Sequence, residues 1–108
     1  MNKNVFISGA SRGIGKAIAH HFANNNFVVV GTSRNEFEFD QKSDNLIPLK
    51  LDVTSREDVA DCFEMLKSKD LLPKILINNA GITSDQIFLR MKNEDWDNVI
   101  NTNLNLSL

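Results

Sequence analysis

Seven residues near the start of the chain carry its strongest chemical signal. Gly9-Ala10-Ser11-Arg12-Gly13-Ile14-Gly15 sets three glycines at the spacing G-x-x-x-G-x-G. Glycine tolerates positive φ and lets backbone come close to an anion. An apolar run, Val5-Phe6-Ile7, precedes the glycines, and Ile14, Ala17, Ile18 and Phe22 follow at helical spacing. A glycine turn between a strand and a helix aims unpaired N–H groups and a positive dipole end at one point. That arrangement holds the pyrophosphate of a dinucleotide. The commoner spacing is G-x-G-x-x-G, so a plain tight turn is the competing reading, and the strand-to-helix position favours the binding one. Gly9, Ser11, Arg12, Gly13, Ile14 and Gly15 are therefore candidate binding residues. A phosphate-loop nucleotidase would need G-x-x-x-x-G-K-S/T. Ala10 stands where its first glycine belongs and Ala17 follows Lys16, so that chemistry is set aside.

Other reactive residue types have plainer readings. Cys62 shares an apolar stripe with Val59, Phe63 and Leu66, as a small buried hydrophobe does. His20 and His21 are adjacent, so they cannot share one helix face, and they read as surface residues with no third ligand. Asp95 and Asp97 read as helix-start charges, and no metal site is expected.

The elements that must position the glycine turn alternate along the chain. Residues 3–8 read as a buried strand, 14–25 as an amphipathic helix and 27–31 as a second continuous apolar strand. Residues 33–45 are polar and unpatterned, hence a loop or a short irregular helix, and 46–51 read as a third strand. Thr54 and Glu57 have capping-box spacing ahead of a helix bearing Val59, Cys62, Phe63 and Leu66. Ile75-Leu76-Ile77 is a fourth strand, ended by the turn residues Asn78-Asn79-Ala80-Gly81. Asn93-Glu94-Asp95 opens a last helix, with Trp96, Val99, Ile100 and Asn103 on one face. Alternating strands and helices, with unbroken apolar strands, predict an α/β fold with a parallel sheet covered on both faces.

Composition limits the partners. With Lys plus Arg 12 against Asp plus Glu 14, the net charge of −2 offers no basic surplus for nucleic acid or an anionic membrane. One cysteine excludes an intrachain disulfide or a cysteine zinc cluster. No apolar run matches a signal peptide or membrane span, so the expected location is cytoplasmic.

Ser8-Gly9-Ala10-Ser11-Arg12-Gly13-Ile14-Gly15 together with Asn78-Asn79-Ala80-Gly81 resembles the short-chain dehydrogenases/reductases, and the resemblance runs from residue 3 to 104. Gly81-Ile82-Thr83-Ser84-Asp85, Arg90-Met91-Lys92, Trp96 and Thr102-Asn103-Leu104 are most similar to the 3-oxoacyl-acyl-carrier-protein reductase branch. The resemblance implies a Rossmann-like doubly wound parallel sheet of strand order 3-2-1-4-5. It implies reduction of a 3-oxoacyl thioester, carried by acyl carrier protein or coenzyme A, in fatty acid synthesis. Complete relatives are usually homotetramers.

The resemblance also assigns roles. Ser33 stands where an NAD-type enzyme of the family carries an acid, and Arg34 follows. A carboxylate would repel a ribose 2′-phosphate, whereas a guanidinium pairs with it. With Arg12 as a second cation the expected cofactor is NADP(H), the plainer reading being solvated arginines. Asp52 and Val53 match residues flanking the adenine, while Asn79 and Gly81 match residues near the cofactor ribose. Asn103 matches an amide that holds a water in the proton relay, and it is the one catalytic candidate.

The family's Ser, Tyr and Lys have no match here, and the chain contains no tyrosine. The 108 residues are thus expected to be the N-terminal, NAD(P)-binding part of one domain, truncated after the fourth strand and the start of the following helix. Such a chain would be inactive alone and marginally stable, with its fourth strand left as an apolar edge. Alternatives are a separate chain supplying Ser, Tyr and Lys, a non-catalytic nucleotide-binding module, or a relative acting on sugars or steroids.

Overall fold

The computed structural model describes residues 3–52, 54–79 and 100–103. Five parallel strands form one sheet in the order β3-β2-β1-β4-β5. They are β1 (Asn4–Ser8), β2 (Val28–Ser33), β3 (Leu46–Lys50), β4 (Ile75–Asn78) and β5 (Ile100–Asn103). Helix α1 (Gly13–Asn24) joins β1 to β2, and α2 (Arg56–Ser68) joins β3 to β4. No helix among the described residues is long and apolar enough to cross a membrane.

Strand β1 lies at the centre, and its side chains alternate between two cores. Val5 and Ile7 face a cluster with Ala10, Ala19, Val29, Phe39, Leu46 and Ile77 on the α1 side. Phe6 faces Val30, Leu51, Val59, Phe63, Leu66 and Leu76 on the α2 side. This two-sided burial is why the strand runs are unbroken rather than alternating. Burying a side chain such as Phe6 stabilises by roughly 1.5–3 kcal/mol, so the central strand anchors the fold. The Rossmann-like reading and its strand order are thus observed.

Both helices end on a residue in the left-handed region, Asn26 (φ 67°) after α1 and Asp70 (φ 56°) after α2. The Phe27 N–H returns to the Phe22 carbonyl at 3.1 Å, and Leu71 does the same to Leu66 at 2.8 Å. These bonds satisfy carbonyls the helix leaves open. Pro48, which has no N–H to donate, is tolerated in β3 because that strand is an edge.

Three expectations need correction. Residues 100–103 are a strand, not the end of a helix bearing Asn103. Ile100 and Thr102 are β-branched, and pairing with β4 satisfies backbone groups that β4 would otherwise expose. The sheet therefore continues past its fourth strand, and β4 is not an edge. Ser55, not Thr54, caps α2, which begins at Arg56: the Ser55 hydroxyl accepts from the Asp58 N–H at 3.2 Å, while the Thr54 hydroxyl donates to Asp52 at 2.6 Å. The connection between β2 and β3 is a loop without a helix, as its polar, unpatterned sequence suggests, and Phe39 within it is buried in the α1-side core.

Candidate functional site

The glycine turn lies at the C-terminal end of β1, where open α/β sheets bind ligands. Gly9 (φ 69°) and Gly13 (φ 62°) both occupy the left-handed region, which reverses the chain between β1 and α1. Gly15 is needed for a different reason. A Cβ there would stand 2.1 Å from the Gly9 carbonyl oxygen and 2.6 Å from Asn79 Nδ2. The first turn of α1 thus lies against the glycine turn itself, with no space for a side chain.

Three hydrogen bonds fix this turn from two sides. Asn79 Nδ2 donates to the Gly9 carbonyl at 2.9 Å, and the Asn79 N–H donates to Ser8 Oγ at 3.3 Å. Ala10 N–H donates to the Thr32 carbonyl at 2.9 Å, tying the turn to β2. Ser8 and Asn78 are both buried, and the Ser8 hydroxyl reaches Asn78 Oδ1 at 3.5 Å. Asn78 therefore joins strand ends, as a buried amide must find partners.

The N-terminus of α1 is open to an anion. Arg12 at its N-cap makes no side-chain capping bond, and the first turn carries no acid. The contrast with α2 is sharp: Ser55 caps that helix and Glu57 and Asp58 occupy its first turn. Among the described residues, no atom lies within 4 Å of where a Cβ on Gly13 would stand. A bare, positive helix end beside an open glycine fits a pyrophosphate. Ile14 is 41% exposed at this mouth, so it does not extend the buried stripe of α1.

A second group gathers at the ends of β2 and β3. The Leu51 N–H donates to the Ser33 carbonyl at 2.8 Å, holding Ser33 beside Asp52. Ser33 is half-buried and Arg34 exposed. The Asp52 carboxylate accepts from Thr54 Oγ at 2.6 Å and from the Thr54 N–H at 3.0 Å. Those bonds, with Arg34's charge adding to them, hold the Asp52 carboxyl below its ordinary range. Asp52, Ser33 and Arg34 thus lie at the C-terminal ends of parallel strands, the same end of the sheet as the glycine turn.

The structure places the remaining candidates as follows. Asn103 closes β5, and its backbone is in register with Asn78. Val53 and Gly81 lie outside the described residues. Cys62 packs against the α2-side core, and burial pushes its thiol up to about 12, which suits a packing residue rather than a nucleophile. His20 meets the Phe39 ring edge-on at 5.7 Å, while His21 is exposed. Three contributors escaped sequence reading: the Thr32 carbonyl, the Ser8 hydroxyl and Phe39. A Ser ending one apolar run and an Asn ending another, like two phenylalanines in a polar stretch, were the available signals.

A family model described as short chain dehydrogenase matches residues 3–107. The 3-oxoacyl-acyl-carrier-protein reductase FabG of Pseudomonas aeruginosa is 40% identical over 110 residues, covering 95% of this chain and 44% of that protein. The Escherichia coli FabG is 40% identical over 106 residues, covering 94% of this chain and 43% of that protein. The chain spans less than half the length of these curated relatives. A solved short chain dehydrogenase of Leptospira borgpetersenii, with bound NAD+, matches at TM-score 0.69 and 29% identity over 76% of this chain and 32% of that one. With a glycine turn at the head of a β3-β2-β1-β4-β5 sheet and a match running from residue 3 to 107, the chain belongs to the short-chain dehydrogenase family.

Proposed function

We propose that residues 1–108 form the N-terminal, cofactor-binding part of a cytoplasmic NADPH-dependent reductase of 3-oxoacyl thioesters. The observation that carries the cofactor reading is the uncapped α1 N-terminus beside a glycine turn braced by Asn79. The Leptospira relative carries NAD+, and FabG relatives are named for reduction of 3-oxoacyl groups on acyl carrier protein. Gly9, Ser11, Gly13, Ile14 and Gly15 would cradle the pyrophosphate, and Asp52 and Val53 would flank the adenine. Asn79 and Gly81 would lie near the cofactor ribose. Arg34 and Arg12 favour a 2′-phosphate, since no carboxylate stands at Ser33 to bind a free 2′-hydroxyl.

The bound cofactor would supply hydride to the β-carbonyl. General acid catalysis also needs a proton donor within hydrogen-bond reach. The chain has no tyrosine to act in the family manner, so these residues hold cofactor without completing a reduction. Asn103, at the end of β5, is proposed to hold a water for the proton relay in the complete site.

Titration calorimetry with NADPH and NADH tests this reading. We expect NADPH to bind at least about tenfold more tightly, the scale of one charge-assisted bidentate pair. Tighter binding of NADH would overturn the cofactor assignment. Acetoacetyl-coenzyme A should not be turned over by the 108-residue chain, and turnover would overturn the division of labour.

A further inference from the structure

Parallel strands are ordinarily joined by a crossover that packs a helix on the sheet. The segment between β2 and β3 has no helix. Its cover is the ring of Phe39, only 7% exposed, with Phe37 partly buried against the same core. The ring meets Phe37 at 5.1 Å and His20 of α1 at 5.7 Å, both edge-on.

The ring also lies behind the glycine turn. A Cβ on Gly31 would stand 2.7 Å from Phe39 Cζ and 2.7 Å from the Ala10 Cβ. Ala10, the residue after Gly9, is fully buried in the same cluster as Phe39. The space that a side chain at residue 31 would fill is thus taken jointly by the Ala10 methyl and the Phe39 ring. Next along the chain, Asp40 pairs with Lys16, the residue after Gly15. Residues 39 and 40 therefore reach both ends of the glycine turn, the ring behind its start and the carboxylate at its exit into α1.

We propose that Phe39 is a positioning residue of the nucleotide site. It touches no nucleotide, and it acts through Ala10 by holding the glycine turn in the conformation that presents its N–H groups to the pyrophosphate. The same segment begins at Ser33 and Arg34, so the ring mechanically links the pyrophosphate cradle to the ribose pocket. This inference rests on the nucleotide-binding reading above.

The test measures affinity for ADP, which carries the pyrophosphate and adenosine without the 2′-phosphate. Phe39→Leu keeps apolar bulk and removes the ring. Phe63→Leu makes the same change in the opposite core, away from the turn. We expect Phe39→Leu to weaken ADP about tenfold and Phe63→Leu less than about twofold, at comparable losses of melting temperature. In the Ala10→Gly background, the Phe39→Leu effect should shrink to less than about twofold, because the two side chains act as one contact. If wild-type binds ADP and both leucine variants lose affinity equally, or if Ala10→Gly and Phe39→Leu are additive, the positioning role is overturned and the nucleotide site stands. If wild-type does not bind ADP, the nucleotide reading falls and this inference with it.

Discussion

The side-chain amide of Asn79 donates to the Gly9 carbonyl oxygen at 2.9 Å, fastening the end of β4 to the turn that follows β1. The two residues are 70 apart in sequence, so the bond exists only once the sheet has formed. Gly15 packs against both ends of this bond, since a Cβ there would crowd the Gly9 carbonyl oxygen and Asn79 Nδ2 alike.

Replacing Asn79 by Asp keeps the shape but removes the donor. Two oxygens would then face each other across the former bond. Asn79→Asp should cost about 1 kcal/mol of stability, the scale of one part-buried hydrogen bond. It should also weaken NADPH more than Asn79→Ala does, since repulsion displaces Gly9 whereas alanine only releases it. Urea titration and calorimetry check both parts, and a weaker effect of aspartate would contradict the proposed geometry.

The three loop glycines should differ in sensitivity, and the structure ranks two of them. Gly13→Ala meets no atom of the described residues within 4 Å, so the cost expected there is that of the positive φ of 62°. That is about 1–2 kcal/mol for an L-residue in the left-handed region. Gly15→Ala would bring a methyl to 2.1 Å from the Gly9 carbonyl oxygen, and backbone must move to relieve it. Gly15→Ala should therefore abolish measurable NADPH binding while Gly13→Ala retains part of it. Equal binding by the two variants would contradict the ranking.

Cofactor choice should turn on charge at the end of β2. Arg34→Ala should weaken NADPH about tenfold and leave NADH nearly unchanged, because only the 2′-phosphate needs the cation. Ser33→Asp combined with Arg34→Ala should reverse the preference, since a carboxylate there repels phosphate and accepts from a free 2′-hydroxyl. Affinities of each variant for both nucleotides decide the matter.

Lys16 holds the Asp40 carboxyl below its ordinary value of 3.8 through a hydrogen bond and its charge. A carboxyl with a depressed folded pKa stabilises above its unfolded value and loses that contribution as pH falls through the folded one. The pair should thus contribute fully near neutrality and fade below pH 3.8. Lys16→Met should lower the urea midpoint slightly at pH 7 and by less at pH 3, with the effect reduced by salt because both groups are largely solvated. An effect that grows as pH falls would contradict this sign.

What could be read from sequence depended on whether local pattern or distant pairing decides the outcome. Val5-Phe6-Ile7 and Ile75-Leu76-Ile77 announce buried parallel strands by themselves, and the glycine turn is placed by its neighbours in the chain. Phe39 was hidden because Phe37 and Phe39 in a polar stretch make no extended period, and the burial of Phe39 depends on Gly31 and Ala10 meeting it in space. The cap of α2 falls on Ser55 rather than Thr54 because the helix begins at Arg56, and two adjacent hydroxyl residues leave that one-residue choice open in the sequence. Residues 100–103 carry helical spacing with Trp96 and Val99, yet long-range pairing with β4 decides their state.

Cys62 offers the last test, since its thiol is the group furthest from its ordinary titration. Burial against the α2-side core raises its pKa from 9.0 to about 12, because nothing nearby compensates the lost hydration of a thiolate. The unfolded chain ionises near its ordinary value, so the stabilising contribution is complete below pH 9.0 and disappears as pH rises toward about 12. Cys62→Ala should therefore flatten the alkaline decline of stability, while costing about 1 kcal/mol near neutrality through the small cavity it leaves. In the native protein at pH 8, Cys62 should react with a disulfide reagent far more slowly than in denaturant. Rapid native reaction, with the chain still folded by circular dichroism, would place the thiol at an exposed or activated site and contradict its packing role.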